Sequence, residues 1–232
     1  MLPAFAARWF GRGVSLPESL RLRRQAWRAL PATPMETPLH QLRCVVADTE
    51  TSGLNPAGGH LLSIGAVALT GLRVDLADGF DAVLGQTQPS TRDNILVHGI
   101  GASEQRAGEA PPLALMRFLE FTGTAPLIGF HTRFDAAFVQ RAMRAQLGFD
   151  AGLHWLDLAA VLPVLFEASP TLALDDWLLR FGIEPVARHS ALGDALATAQ
   201  LAQIALQKAA SRGLIHFAAL QKLAVDARWL PH

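Results

Sequence analysis

Apolar and polar positions along the chain change their period twice, near residue 41 and near residue 110. Between them, "LRCVVAD", "HLLSIGAVAL" and "GFDAVL" are rich in β-branched and other apolar residues. Turns at "NPAGG" and around Gly71 separate them, which predicts a strand meander. The spacing then lengthens to that of helices. "PPLALMRFLEF" predicts a helix, "APLIGF" a strand, and "DAAFVQRAMRAQLG" a helix ended by Gly148. "LDLAAVLPVLF" follows, interrupted by Pro163, then "LALDDWLLRFG", which stops at Gly182. "SALGDALATAQLAQIALQKAASRG" is the longest predicted helix, and Gly213 breaks the chain before a last helical piece, "IHFAALQKLAV". This order predicts an α/β fold with one mixed sheet, antiparallel at first and parallel where "APLIGF" returns after its helix, with helices packed on it. Trp155 and Trp177 fall in helical apolar patterns and are expected in the core.

Ahead of the meander, "SLPESLRLRRQAWRAL" predicts a short helix. Ser15 stands as N-cap with Glu18 three residues on, and Leu16, Leu20, Trp27 and Leu30 form a broken apolar stripe. "PATPMETP" reads as a linker. The expected organisation is a basic helix and proline-rich linker over 1–40, a domain over 41–212, and a helical tail over 213–232 packed on it. No internal repeat or low-complexity tract interrupts this.

With 232 residues, 50% of them hydrophobic and 17% charged, the chain suffices for one sizeable core. Its longest apolar runs fall short of the ~20 residues of a membrane span. The first residues lack the order and cleavage site of a signal peptide, so a cytoplasmic location without a membrane is expected. Cys44 is the only cysteine, which excludes a disulfide within the chain, and its apolar run predicts a small buried side chain. Formal net charge is zero, but residues 1–43 hold seven arginines against Glu18 and Glu36, a balance of +5 that leaves −5 on the remainder.

The chemistry concentrates where the first apolar run ends, in "CVVADTETSGLNP". Residues two apart on a strand face the same way, so Asp48 and Glu50 point together at the strand's carboxyl end, where α/β sheets bind ligands. Two close carboxylates repel, and burial adds to the cost, so the pair persists where one protonates or a hard cation sits between them.

"DTETSGL" resembles the first motif of the DnaQ-like, or DEDD, superfamily of 3′–5′ exonucleases, D-x-E-T-T/S-G-L. "GFHTRFDAAF" resembles the second and places Asp135, and "HSALGDALATA" resembles the third, H-x-A-x-x-D, and places His189 and Asp194. "LDLAAV" is similar to the segment before the third motif, and "LVHGI" around His98 to the loop after the early strands. The resemblance covers roughly residues 41–210 and implies an RNase H-like fold. It further implies that Asp48, Glu50, Asp135 and Asp194 hold two divalent ions, Mg²⁺ or Mn²⁺, with Asp48 bridging. His189 then acts as general base on the attacking water. A branch of the superfamily has tyrosine in place of that histidine; this chain has no tyrosine.

Five residues on an α-helix turn through about 500°, leaving two side chains ~140° apart. His189 therefore belongs on a loop before the helix that carries Asp194, with Ser190 as N-cap. Thr51, Ser52, Gly53 and Leu54, with His98 and His131, are the candidate substrate contacts. Leu54 presses on a terminal base or merely begins the next loop. His98 and His131 have packing or hydrogen-bonding roles as their alternative. Phe130 and His131 stand where many members read His-Asn, which bears on substrate positioning and leaves Asp135 in place.

The resemblance implies cleavage of single-stranded DNA or short oligonucleotides from the 3′ end with release of 5′-mononucleotides. The partner is a nucleic-acid 3′ end, with a polymerase or another protein as a further one. A body at −5 offers little long-range attraction for a polyanion, which disfavours tight duplex binding. RNA as substrate, as in the oligoribonuclease and RNase T relatives, stays open, as does a non-catalytic nucleic-acid-binding module.

Overall fold

The computed structural model describes residues 14–187 and 189–227. After α1 (Glu18–Arg28) come the strands β1 (Arg43–Thr51), β2 (Leu61–Thr70) and β3 (Arg73–Val83). Helices α2 (Arg92–His98), α3 (Ala102–Ala107) and α4 (Pro111–Thr122) lead to β4 (Leu127–Gly129), α5 (Arg133–Leu147) and β5 (Trp155–Asp157). Four helices follow among the described residues, α6 (Leu158–Phe166), α7 (Leu174–Arg180), α8 (Ala191–Ser211) and α9 (Phe217–Ala227). Among the described residues no helix is long and apolar enough to cross a membrane.

One five-stranded sheet in the order β3-β2-β1-β4-β5 organises the molecule. β1–β2 and β2–β3 pair antiparallel, β1–β4 and β4–β5 parallel, which is the mixed sheet that the order of elements predicts. Alternation along β1 divides the core. Cys44 and Val46 join Val67 and Leu69 of β2 under α6–α9, whereas Val45 and Ala47 join Ile64 and Ala66 under α4 and α5. Cys44 is buried, and burial pushes its thiol up to about 12, so it packs as a small apolar group.

Several elements differ from the sequence expectation, each for a local reason. α1 begins at Glu18 with Pro17 at the N-cap and no side-chain cap, not at Ser15; the residue before a proline avoids the helical region, so Leu16 cannot join the helix. α6 runs through Pro163. The lost hydrogen bond and steric clash cost about 3 kcal/mol. Burial of Leu158, Val161, Leu162 and Leu165, at about 1.5–3 kcal/mol each, outweighs this. Trp155 lies on β5, not on a helix, and pairs with Leu127; Trp177 is fully buried on α7. β3 starts at Arg73, well before "GFDAVL", because its first residues line a solvent edge and lack apolar alternation.

α1 is docked on the α4–α5 face. Leu20 is buried there and Trp27 packs beside it, donating from its indole nitrogen to Gly123 O at 3.0 Å. Arg23 pairs with Glu120, Arg24 donates to Leu147 O at 2.6 Å, and the Arg24 and Arg28 guanidinium groups each lie over Phe149. Arg8 and Arg12 lie outside the described residues.

Candidate active site

The site forms where β1 leaves the sheet. Asp48 faces Gly65 across the β1–β2 ladder, and Glu50 faces Ser63. Gly65 sits where the start of α8 crosses the sheet: a Cβ there would lie 2.0 Å from the Leu192 backbone nitrogen and 2.1 Å from the Ala191 carbonyl carbon. Only glycine admits this approach. It brings the first turn of α8, and Asp194 in it, down onto Asp48. Gly193 does the same for the loop before α8, since a Cβ there would meet Ala187 O at 2.2 Å.

In consequence, oxygens of Asp48, Glu50 and Asp194 lie within 4.8 Å of one another. Asp48 and Glu50 are half-buried and Asp194 is buried. Burial, then the charges of Asp194 and Asp135, push the Glu50 carboxyl up to about 7. Asp135, in the first turn of α5, stands beside this cluster and not inside it. Its Oδ1 accepts from the Thr49 hydroxyl at 2.6 Å. Burial raises Asp135 to about 6 against the lowering effect of that bond, and the charge of Asp157 adds to the rise. Three of the four expected carboxylates thus converge, and the fourth is tied to the residue between two of them. An all-oxygen, strongly anionic set of this kind suits hard divalent cations such as Mg²⁺ or Mn²⁺.

His189 lies on the loop before α8, exposed and in the left-handed region at φ +58°. Its backbone N–H donates to Asp194 Oδ2 at 3.0 Å. Ser190 is the N-cap, as its position predicts, but makes no side-chain cap bond; the Asp194 carboxylate reaches back instead. The loop after β1 is shaped from within. Thr51 Oγ1 donates to Gly53 O at 3.0 Å, Ser52 Oγ accepts from the His60 N–H at 2.8 Å, and Asn94 of α2 donates to Ser52 O. Leu54, 88% exposed, projects from this loop and is open to contact.

His98 corrects the expectation of a loop residue: it ends α2 and is only 2% exposed. Its Nδ1 accepts from the Ile100 N–H at 3.0 Å and its Nε2 lies 3.0 Å from Ser90 Oγ, so the proton sits on Nε2 and the ring locks the chain after α2. Burial lowers its pKa, in keeping with a neutral ring. His131 is exposed, at φ +56°, with its ring edge-on to Phe130 and its N–H donated to Asp157 Oδ1 at 2.9 Å. The same Asp157 oxygen caps α6 through the Ala159 N–H.

Sequence reasoning missed Thr49, Gly65 and Asp157. Alternation does place Thr49 opposite to Asp48 and Glu50, and an aspartate ahead of an apolar helical run is an N-cap signal. Nothing local marks Gly65, whose role depends on a helix that starts 126 residues later.

The family model for exonucleases (RNase_T) matches residues 45–202. A DNA polymerase III subunit epsilon-like protein of Rhodobacter capsulatus is 35% identical over 190 residues, covering 80% of this chain and 27% of that protein. The DNA polymerase III subunit epsilon of Pasteurella multocida is 27% identical, covering 70% and 66% respectively. A PolC-type DNA polymerase III of Thermotoga maritima is 25% identical, covering 77% of this chain and 13% of its own length. The chain thus spans about a quarter or less of the R. capsulatus and T. maritima relatives. Among solved structures, E. coli exonuclease I in complex with a dT13 oligonucleotide superposes with a TM-score of 0.64 at 19% identity, over 74% of this chain and 42% of that one. This likeness concerns the fold.

Proposed function

The chain belongs to the exonuclease family whose model spans residues 45–202, and on that premise we propose that it is a metal-dependent 3′–5′ exonuclease acting on single-stranded DNA or short oligonucleotides and releasing 5′-mononucleotides. The observation that carries this reading is the meeting of Asp48, Glu50 and Asp194 at the end of β1, with Asp135 alongside. The choice of DNA rests on relatives named for DNA polymerase III.

Asp48, Glu50 and Asp194, with Asp135 alongside, would hold the divalent ions. Ions bound there supply Lewis acidity toward the scissile phosphodiester and the attacking water. His189 takes the proton of that water as general base. Its exposed place on a loop lets it swing over a bound strand end. The terminal base lies against Leu54, and the loop of Thr51, Ser52 and Gly53 keeps its shape through the bonds described above. His131, exposed on the loop ahead of α5, is free to meet substrate, whereas His98, buried, acts through packing. A polymerase is the partner that the relatives' names suggest.

The test is shortening of 3′-hydroxyl oligomers, end-labelled at the 5′ side, in Mg²⁺ or Mn²⁺. The labelled single-stranded DNA should shorten stepwise from its 3′ end, with the released 5′-mononucleotides identified by chromatography, and excess chelator should stop the reaction. Undiminished cleavage in chelator would refute the metal reading, and a preference for the matching RNA oligomer would move the assignment to an RNA-directed enzyme. His189→Ala should lose roughly 100- to 10,000-fold in turnover; full activity at neutral pH would remove it from the role of base.

A further inference from the structure

The alternation that turns Asp48 and Glu50 to one face of β1 turns Thr49 to the other, toward α5. There its hydroxyl donates to Asp135 Oδ1 at 2.6 Å, with both residues buried. Backbone groups of Thr49 and Asp135 add to the hold on that carboxylate. Asp135 stands outside the group of three whose oxygens lie within 4.8 Å of one another. Thr49 is covalently flanked by two members of that group. One short bond therefore registers a helix-borne carboxylate against both strand-borne ones. Without it, the Asp135 side chain would regain rotamer freedom that cation binding must then remove.

We propose that Thr49 is a positioning residue: its hydroxyl sets Asp135 in register with Asp48 and Glu50, and so raises the affinity of the carboxylate set for divalent cations without touching cation or substrate itself. The proposal rests on the cation reading above and names a residue that this reading leaves out. Outer-shell partners of this kind set ligand orientation, and their removal typically costs 10- to 100-fold in metal affinity.

Mn²⁺ binding to the full chain by titration calorimetry, with Mn²⁺ activation of oligomer hydrolysis alongside, tests it. Thr49→Val keeps the shape and removes the hydroxyl, and should weaken Mn²⁺ binding by roughly 10- to 100-fold. The Mn²⁺ concentration for half-maximal activity should rise in step, and turnover at saturating Mn²⁺ should change little. Thr49→Ser, which retains the hydroxyl, should bind within about threefold of wild type. In an Asp135→Asn background, adding Thr49→Val should cost almost nothing more. Melts in chelator establish that each variant is folded, and Thr49→Ala supplies the same comparison if Thr49→Val is not. Wild-type affinity in Thr49→Val, equal losses in the Ser and Val variants, or a full loss that persists with Asp135→Asn would each overturn the proposal. A wild-type protein that binds no Mn²⁺ would instead overturn the cation reading beneath it.

Discussion

Asp48 sits among carboxylates that repel it, so its charge weakens the metal-free fold that it equips for cations. Asp48→Asn should raise the melting temperature in chelator by about 2–4 °C, the equivalent of about 1 kcal/mol in a chain this size. It should also nearly abolish the further rise that Mn²⁺ gives the wild type. An equal Mn²⁺-induced rise in both proteins would remove Asp48 from the site. Glu50 gives the pH counterpart. Its carboxyl stands at about 7 in the fold against an ordinary 4.5. The fold therefore holds a proton there that the unfolded chain has lost, and metal-free stability falls as pH rises from about 4.5 to about 7. Cations bind the deprotonated form, so Mn²⁺ binding at pH 6 should release about one proton more than at pH 8. Calorimetry in buffers of different ionisation enthalpy reads this directly. Glu50→Gln should erase most of the difference; an unchanged release would place the proton on another group.

At the scale of elements, the seating of α8 on β2 brings Asp194 to Asp48. Gly65→Ala puts a methyl where backbone already lies, and backbone cannot rotate away as a side chain can. The expected cost is at least the upper part of the 1–3 kcal/mol typical of overpacking, with a loss of Mn²⁺ affinity in whatever remains folded. Melts and Mn²⁺ titration of Gly65→Ala against Gly79→Ala, where the nearest atom is 3.7 Å away, separate this contact from a general effect of losing glycine. The contrast also marks what the sequence could disclose. β1, β2 and α8 were legible because their apolar periods run for nine or more residues. The three-residue β5 was not, since it runs without a break into the apolar pattern of α6, whereas the equally short β4 stands apart between two helices. α2 and α3 escaped because neither buries an apolar stripe, their buried residues being His98 and Gln105, although Thr91 and Gly99 mark the two ends of α2. Within the site, the meeting of Asp48, Glu50 and Asp194 was legible because the first and third motifs carry them. The tie from Thr49 to Asp135 was not, because it joins elements 86 residues apart.

For the whole molecule, the +5 balance of residues 1–43 leaves open whether their arginines serve a nucleic acid or the fold, and Arg23, Arg24 and Arg28 have partners on the domain itself. The Arg23–Glu120 pair, part-exposed, contributes at most about 1 kcal/mol, and more of the docking comes from Leu20 and Trp27. A chain shortened to begin at Leu39 should therefore melt several degrees lower and keep the salt dependence of oligomer binding within about one unit of log–log slope. A slope flattened by several units would assign the arginines to the nucleic acid. The sheet order has a consequence of another kind. It leaves β3 and β5 as the two margins of the sheet, one eleven residues long and one only three. A long open margin invites a strand from a second copy, the first step toward fibrous self-association. β3 counters this with Asp75, Asp78 and Asp81, and with a register break that bows residues 76–78 out of the ladder. Val74 N–H and Val83 O at its two ends are already taken by Gln203 and Glu109, so the acids should matter most between them, and a concentrated solution of Asp75→Val/Asp81→Val should scatter light where the parent stays clear.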